Sequence, residues 1–114
     1  MKSDYFNKFK SIIPQHFFEK KNINILEFGT EKGNTTSLFI EMCENNNGFV
    51  YSVDTVDYSS LFNNSKWKFI NCRDDEFELV IQNIGKKTFD IICLDTIHTM
   101  DHVKKILLYY YKLL

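Results

Sequence analysis

The sequence predicts an α/β fold, a doubly wound parallel sheet with helices on both faces in a three-layer αβα arrangement. Three observations predict it. Short, almost continuous apolar runs alternate with segments of helical period along all 114 residues. The runs lack the in-out alternation of a half-solvated strand, as expected when both faces are covered. Each of three runs is followed at once by glycine or aspartate: Gly29, Asp54 and Asp95. Right-handed crossovers between parallel strands then limit the topology to a doubly wound sheet.

The elements follow in chain order. Phe6, Phe9 and Ile13, with Tyr5 and Ile12 beside them, have helical spacing and predict a first helix stopped near Pro14. Residues 1–21 are read as this helical lead-in and residues 22–114 as strand-helix repeats of one domain. Residues 23–28 form an apolar run with one acid, Glu27, and predict a buried strand. A glycine-containing turn leads to a helix with Leu38, Phe39 and Met42 inward. Asn45-Asn46-Asn47-Gly48 ends it, with Gly48 expected at positive φ. Residues 49–53 predict a second strand closed by Asp54. Residues 55–65 read as loop with room for one helical turn, and residues 67–70 as a third strand. Phe77, Val80, Ile81 and Ile84 fall at i, i+3, i+4 and i+7, a helix closed by Gly85. Residues 89–94 predict the fourth strand. Val103, Ile106, Leu107 and Tyr110 give the last helix an inner face.

Composition narrows the class. The formal net charge is -1 and no basic tail or stripe is present, so nothing points to nucleic acid. The Lys-Lys pairs read as solvated surface. Cys43, Cys72 and Cys93 lack metal-ligand spacing, and a reduced, cytoplasmic setting fits them. Charged residues interrupt the start, so it does not read as a signal peptide, and no apolar run has bilayer-spanning length.

The last residues, Tyr109-Tyr110-Tyr111-Lys112-Leu113-Leu114, lie in an apolar helix without cap or polar tail. A fourth strand at a sheet edge would expose a flat Ile91-Ile92-Cys93-Leu94 segment with no charge or proline. The expectation is that further strands follow and that the chain is an N-terminal fragment. The alternative is a homo-oligomer contact covering that edge.

The site signal is Glu27-Phe28-Gly29-Thr30-Glu31-Lys32-Gly33-Asn34-Thr35, between a strand and a helix. Gly29 would allow a sharp turn, and Gly33 a close approach of the helix start to strand and ligand. Asn34, Thr35, Thr36 or Ser37 would cap the helix or bond the ligand. Taken alone, the pattern also fits a turn that needs glycine only for geometry. Asp54 adds weight: it lies about 20 residues beyond Gly33, where an acid can accept ribose hydroxyls. Ligands of open parallel sheets bind beyond the carboxyl ends of the strands, where Glu27, Gly29, Asp54 and Asp95 all fall. The spacing is not G-x-G-x-x-G, because Glu31 occupies the middle glycine position and would repel a pyrophosphate.

Residues 25–35 resemble the E-x-G-x-x-x-G-x-[ST] first motif of class I S-adenosylmethionine (SAM)-dependent methyltransferases. Val50-Tyr51-Ser52-Val53-Asp54 resembles their second motif. Phe89-Asp90-Ile91-Ile92-Cys93-Leu94-Asp95-Thr96-Ile97-His98-Thr99 is similar to the F-D-x-I-x-x-D-G-x-H-[ST] segment of the methyltransferase family 24 and cephalosporin-hydroxylase-like branch. The departures are Thr96 in place of glycine and Cys72-Arg73-Asp74-Asp75 in place of Gly-Asp-Ser. The resemblance implies a Rossmann-like domain lacking its C-terminal strands, with SAM as cofactor. It implies a SAM turn built by Glu27, Gly29, Thr30 and Gly33, with Asp54 and Thr55 at the ribose and Asp74 near the adenine. Asp95 would border the cofactor and, with His98, face a small-molecule acceptor as proton acceptor. His98 also reads as a helix cap. Two ligands do not make a metal site, so no metal residue is assigned, although a divalent metal is compatible with this pair. The implied reaction is methyl transfer to a small molecule at oxygen. The alternatives are a non-catalytic SAM-binding or oligomerisation module, and a hydroxylase or lyase on the same scaffold.

Overall fold

The computed structural model describes residues 11–95 and 99–114. The elements are α1 (Gln15–Glu19), β1 (Asn24–Phe28), α2 (Asn34–Asn46), β2 (Phe49–Asp54), β3 (Trp67–Asn71), α3 (Phe77–Ile84), β4 (Ile91–Leu94) and α4 (Met100–Tyr110), with a 3-10 turn over Tyr111–Leu113. Tyr5, Phe6 and Phe9 of the expected lead-in helix lie outside the described residues. Residues 11 and 12 are helical, and Pro14 then serves as N-cap of α1. Proline suits that place, because a helix start leaves its N–H without an intrahelical partner anyway.

The four strands form one parallel sheet in the order β3-β2-β1-β4. β1 is flanked on both sides, and Ile25, Leu26, Glu27 and Phe28 are all buried. Successive side chains of a strand point to opposite faces, and the core divides accordingly. Ile25 and Val50 pack with Leu38, Phe39, Met42 and Cys43 of α2 on one face. Leu26, Phe28, Tyr51 and Val53 pack with Val80 and Ile84 of α3 and Ile106 and Tyr110 of α4 on the other. The layering is the three-layer αβα arrangement expected.

Several local expectations need correction. At the end of α2 the left-handed residue is Asn47, at φ 56°, and not Gly48. Gly48 is required for space: a Cβ there would stand 2.2 Å from the Ile23 carbonyl oxygen. No helical turn forms over residues 55–65, which run as turns and bends with Phe62 packed against the core. The fourth strand begins at Ile91, because the Phe89 N–H donates to Leu113 O at 2.7 Å and leaves the ladder. Leu107 is 47% exposed and lies off the inner face of α4, which Ile106 and Tyr110 make. β4 occupies the sheet edge, with all four residues half-buried. Among the described residues no helix is long and apolar enough to cross a membrane.

Candidate functional site

The carboxyl ends of the four strands are held level by bonds that extend the ladders. Gly29 N–H donates to Val53 O at 2.8 Å, Asp95 N–H to Phe28 O at 2.8 Å, and Cys72 N–H to Asp54 O at 3.0 Å. A cleft of about 640 Å³ opens above these tips. Its walls come from every tip: Gly29 and Glu31 after β1, Asp54, Thr55, Val56 and Tyr58 after β2, Cys72, Arg73 and Asp74 after β3, and Asp95 and Thr99 after β4, joined by His102 from α4.

The glycine turn is shaped by backbone conformation. Gly29 (φ 97°), Glu31 (φ 47°) and Gly33 (φ 80°) all lie in the left-handed region. Gly33 is itself the N-cap of α2 and has no side chain with which to cap the helix. Thr36 turns inward. Its hydroxyl donates to Glu27 Oε2 at 2.5 Å, and Ser52 donates to the same oxygen at 2.6 Å. Trp67 Nε1 donates to Ser52 Oγ at 2.9 Å, extending the network to β3. Burial, the largest cause, pushes the Glu27 carboxyl up to about 7 against these lowering hydrogen bonds, with Asp95 and Asp54 adding to the rise. Glu27 Oε1 and Thr30 Oγ1 are buried and find no hydrogen-bond partner among the described residues.

Asp54 secures the turn to β2. Its Oδ2 accepts the Thr30 N–H at 2.8 Å and the Glu31 N–H at 3.4 Å, and its Oδ1 accepts the Val56 N–H at 3.0 Å. Asp74 is held from two sides: Tyr110 Oη donates to its carbonyl at 2.9 Å, and His102 Nε2 lies 2.9 and 3.1 Å from its two carboxylate oxygens. Asp75 takes no part in the cleft and pairs with Arg73 and Lys105. Burial pushes the Cys72 thiol up to about 11, so this thiol is neutral at physiological pH.

Of the residues singled out by sequence, Gly29, Asp54, Thr55, Asp74 and Asp95 meet around one cleft. Glu27, Thr30 and Gly33 stand behind its wall, and a Cβ on Gly33 would meet the Phe62 ring at 2.9 Å. His98 lies outside the described residues. Sequence reasoning passed over His102, Arg73, Tyr58 and Val56 as cleft residues. The i, i+4 spacing of His98 and His102 was the one available hint, and it did not identify Asp74 as the partner. Among the described residues no three His, Cys, Asp or Glu side chains gather as a metal site.

A family model described as a methyltransferase domain, methyltransferase family 24, matches residues 26–114. No curated protein matches the chain. Among solved structures it is similar to the MycE methyltransferase of the mycinamycin biosynthetic pathway in complex with Mg and SAH, with TM-score 0.76 and 16% identity over 98% of this chain and 33% of that one. A MycE complex with Mg, SAH and mycinamycin VI gives TM-score 0.76 and 17% identity over 96% of this chain and 29% of that one. A putative ribosomal RNA methyltransferase from Plasmodium falciparum gives TM-score 0.63 and 19% identity, over 99% of this chain and 66% of that one. The chain thus spans about a third of the length of MycE.

Proposed function

The chain belongs to methyltransferase family 24, and on that premise we propose that its cleft binds SAM and serves methyl transfer to an oxygen of a small-molecule acceptor. The observation that carries this reading is the convergence of four strand tips on one cleft with Glu31, Asp54, Asp74 and Asp95 in its lining. Such a lining repels phosphates and suits a ligand bearing a sulfonium and an ammonium. The orphaned Glu27 Oε1 and Thr30 Oγ1 beneath the turn fit a ligand that brings polar groups there.

On this reading Asp54 accepts the ribose hydroxyls, using lone pairs left by its three backbone donors. Asp74 accepts from the adenine amine, and Thr55 borders the ribose. Gly29, Thr30 and Gly33 set the course of the turn, with Glu27 beneath it. When bound, SAM supplies a methyl group on a sulfonium leaving group. The chain's own work is to align an acceptor hydroxyl with that methyl and to take up the hydroxyl proton on the Asp95 carboxylate, or on His98. No metal is assigned to this step.

The presence of mycinamycin VI in a MycE complex supports the choice of a small-molecule acceptor. The test is calorimetry of the full chain with S-adenosylhomocysteine and NAD in parallel. Binding of the first and not the second is expected. Binding of NAD alone, or of neither, overturns the proposal.

A further inference from the structure

The contact between Asp74 and His102 joins two walls of the cleft that are remote in sequence. Asp74 follows β3, and His102 sits in the first turn of α4, where its own N–H donates to the Thr99 N-cap hydroxyl at 3.3 Å. Both residues line the cleft. The Asp74 side chain is 11% exposed and that of His102 30%. An ionised carboxylate only accepts, so the imidazole Nε2 must carry the donated hydrogen. Nε2 stands nearly equidistant from the two carboxylate oxygens, at 2.9 and 3.1 Å, and so engages both of them and holds the group in position. The Tyr110 hydroxyl donates to the Asp74 carbonyl at 2.9 Å and so ties the backbone beneath the carboxylate to α4.

We infer that His102 is a positioning residue that sets which purine the cleft accepts, by holding the Asp74 carboxylate as a fixed acceptor. The inference rests on the proposed adenosyl ligand. A carboxylate locked in this way presents only its remaining lone pairs to the cleft. A 6-amino purine offers a donor to them. A 6-oxo purine places an oxygen against an oxygen, with no route for the carboxylate to turn aside. Orientation therefore becomes discrimination. A mobile carboxylate would still bind the amine, but it would evade the oxo group at little cost.

The test compares S-adenosylhomocysteine with S-inosylhomocysteine, which carries a 6-oxo group and an N1 proton in place of the 6-amino group and bare N1, by calorimetry on the full chain. The wild type is expected to prefer the adenosyl ligand on the order of tenfold or more, the worth of one good hydrogen bond. H102L should lose most of that preference, chiefly by binding the inosyl ligand better. H102Q, whose amide can still donate to Asp74, should keep it. D74N can present an amide donor to the oxo group and should shift the preference toward the inosyl ligand, which gives a second reading if H102L folds poorly. An H102L ratio equal to wild type, or no shift in D74N, overturns the inference. Adenosyl binding by the wild type without discrimination at position 6 overturns it while leaving the proposed function intact. No adenosyl binding at all overturns both.

Discussion

Asp54 Oδ2 accepts the backbone N–H of Thr30 at 2.8 Å, so the acid that ends the second strand also holds the glycine turn that follows the first. One carboxylate thus shapes two walls of the cleft. Asp54→Ala is expected to weaken S-adenosylhomocysteine binding by about 1.5–3 kcal/mol, the worth of hydrogen bonds to a charged group. Because three backbone N–H groups lose their acceptor, the melting temperature should fall as well. Calorimetry and thermal melting of the same sample check both effects. Unchanged affinity would remove Asp54 from the ribose position.

Glu27 makes stability depend on pH in an uncommon direction. Its carboxyl is raised from 4.5 to about 7 in the folded chain, chiefly by burial. Between these values the unfolded chain has already lost the proton while the folded chain keeps it. The unfolded state then binds fewer protons, and stability falls as pH rises through this window. The contribution is full below about pH 4.5 and gone above about pH 7, a change of about 3 kcal/mol. Glu27→Gln cannot titrate and should lack this slope. Urea midpoints from pH 4.5 to 8 for the two proteins give the difference directly, and parallel profiles would contradict it.

Tyr110→Phe isolates the tie between α4 and the loop after β3. Tyr110 is buried, packs its ring 4.7 Å from that of Phe28, and donates its hydroxyl to Asp74 O at 2.9 Å. The ring contacts survive the substitution and one hydrogen bond is lost. A loss of about 1 kcal/mol in urea denaturation is expected, with a larger fractional effect on S-adenosylhomocysteine affinity than Leu108→Ala, which lies on the exposed side of the same helix.

Much of the fold was legible in the sequence because burial on both faces leaves a plain record. Residues 25–28 carry an apolar run that only a central strand requires, and Phe77, Val80 and Ile84 repeat at the period of α3. The strand tips were legible for the same reason, since Gly29, Asp54 and Asp95 each end such a run. Contacts set by distant partners were not. The His102–Asp74 pair spans 28 residues, and the Phe89–Leu113 bond that shortens β4 is equally non-local. Neither leaves a periodic trace. Thr36 was one of four residues expected to cap the helix or bond the ligand, and its hydroxyl serves Glu27, because a hydroxyl that could cap a helix can equally satisfy a buried acid nine residues away. Leu107 follows Ile106 directly, and helical period alone did not decide which of the two faced the sheet.

The glycines separate two kinds of constraint, and their substitution by alanine should rank them. Gly85 sits at φ +71° and ψ -156° with nothing within 4 Å of where a Cβ would stand, so Gly85→Ala suffers only backbone strain, in a region essentially reserved for glycine, and should cost about 2 kcal/mol. Gly33, at φ +80° and ψ 16°, has the milder αL demand and meets the edge of the Phe62 ring at 2.9 Å, which can give way. Gly48 has no positive φ, yet its Cβ would stand 2.2 Å from Ile23 O and 2.6 Å from Ile23 Cγ2, at the point where Phe49 N–H donates to that same carbonyl at 2.8 Å. The obstacle is backbone at the start of the first two strands, and relief means parting them. Gly48→Ala is therefore expected to cost about 3 kcal/mol, the upper range for overpacking, and to exceed Gly33→Ala and Gly85→Ala in urea denaturation. The reverse order would mean that the start of β1 yields more easily than the turn at Gly33.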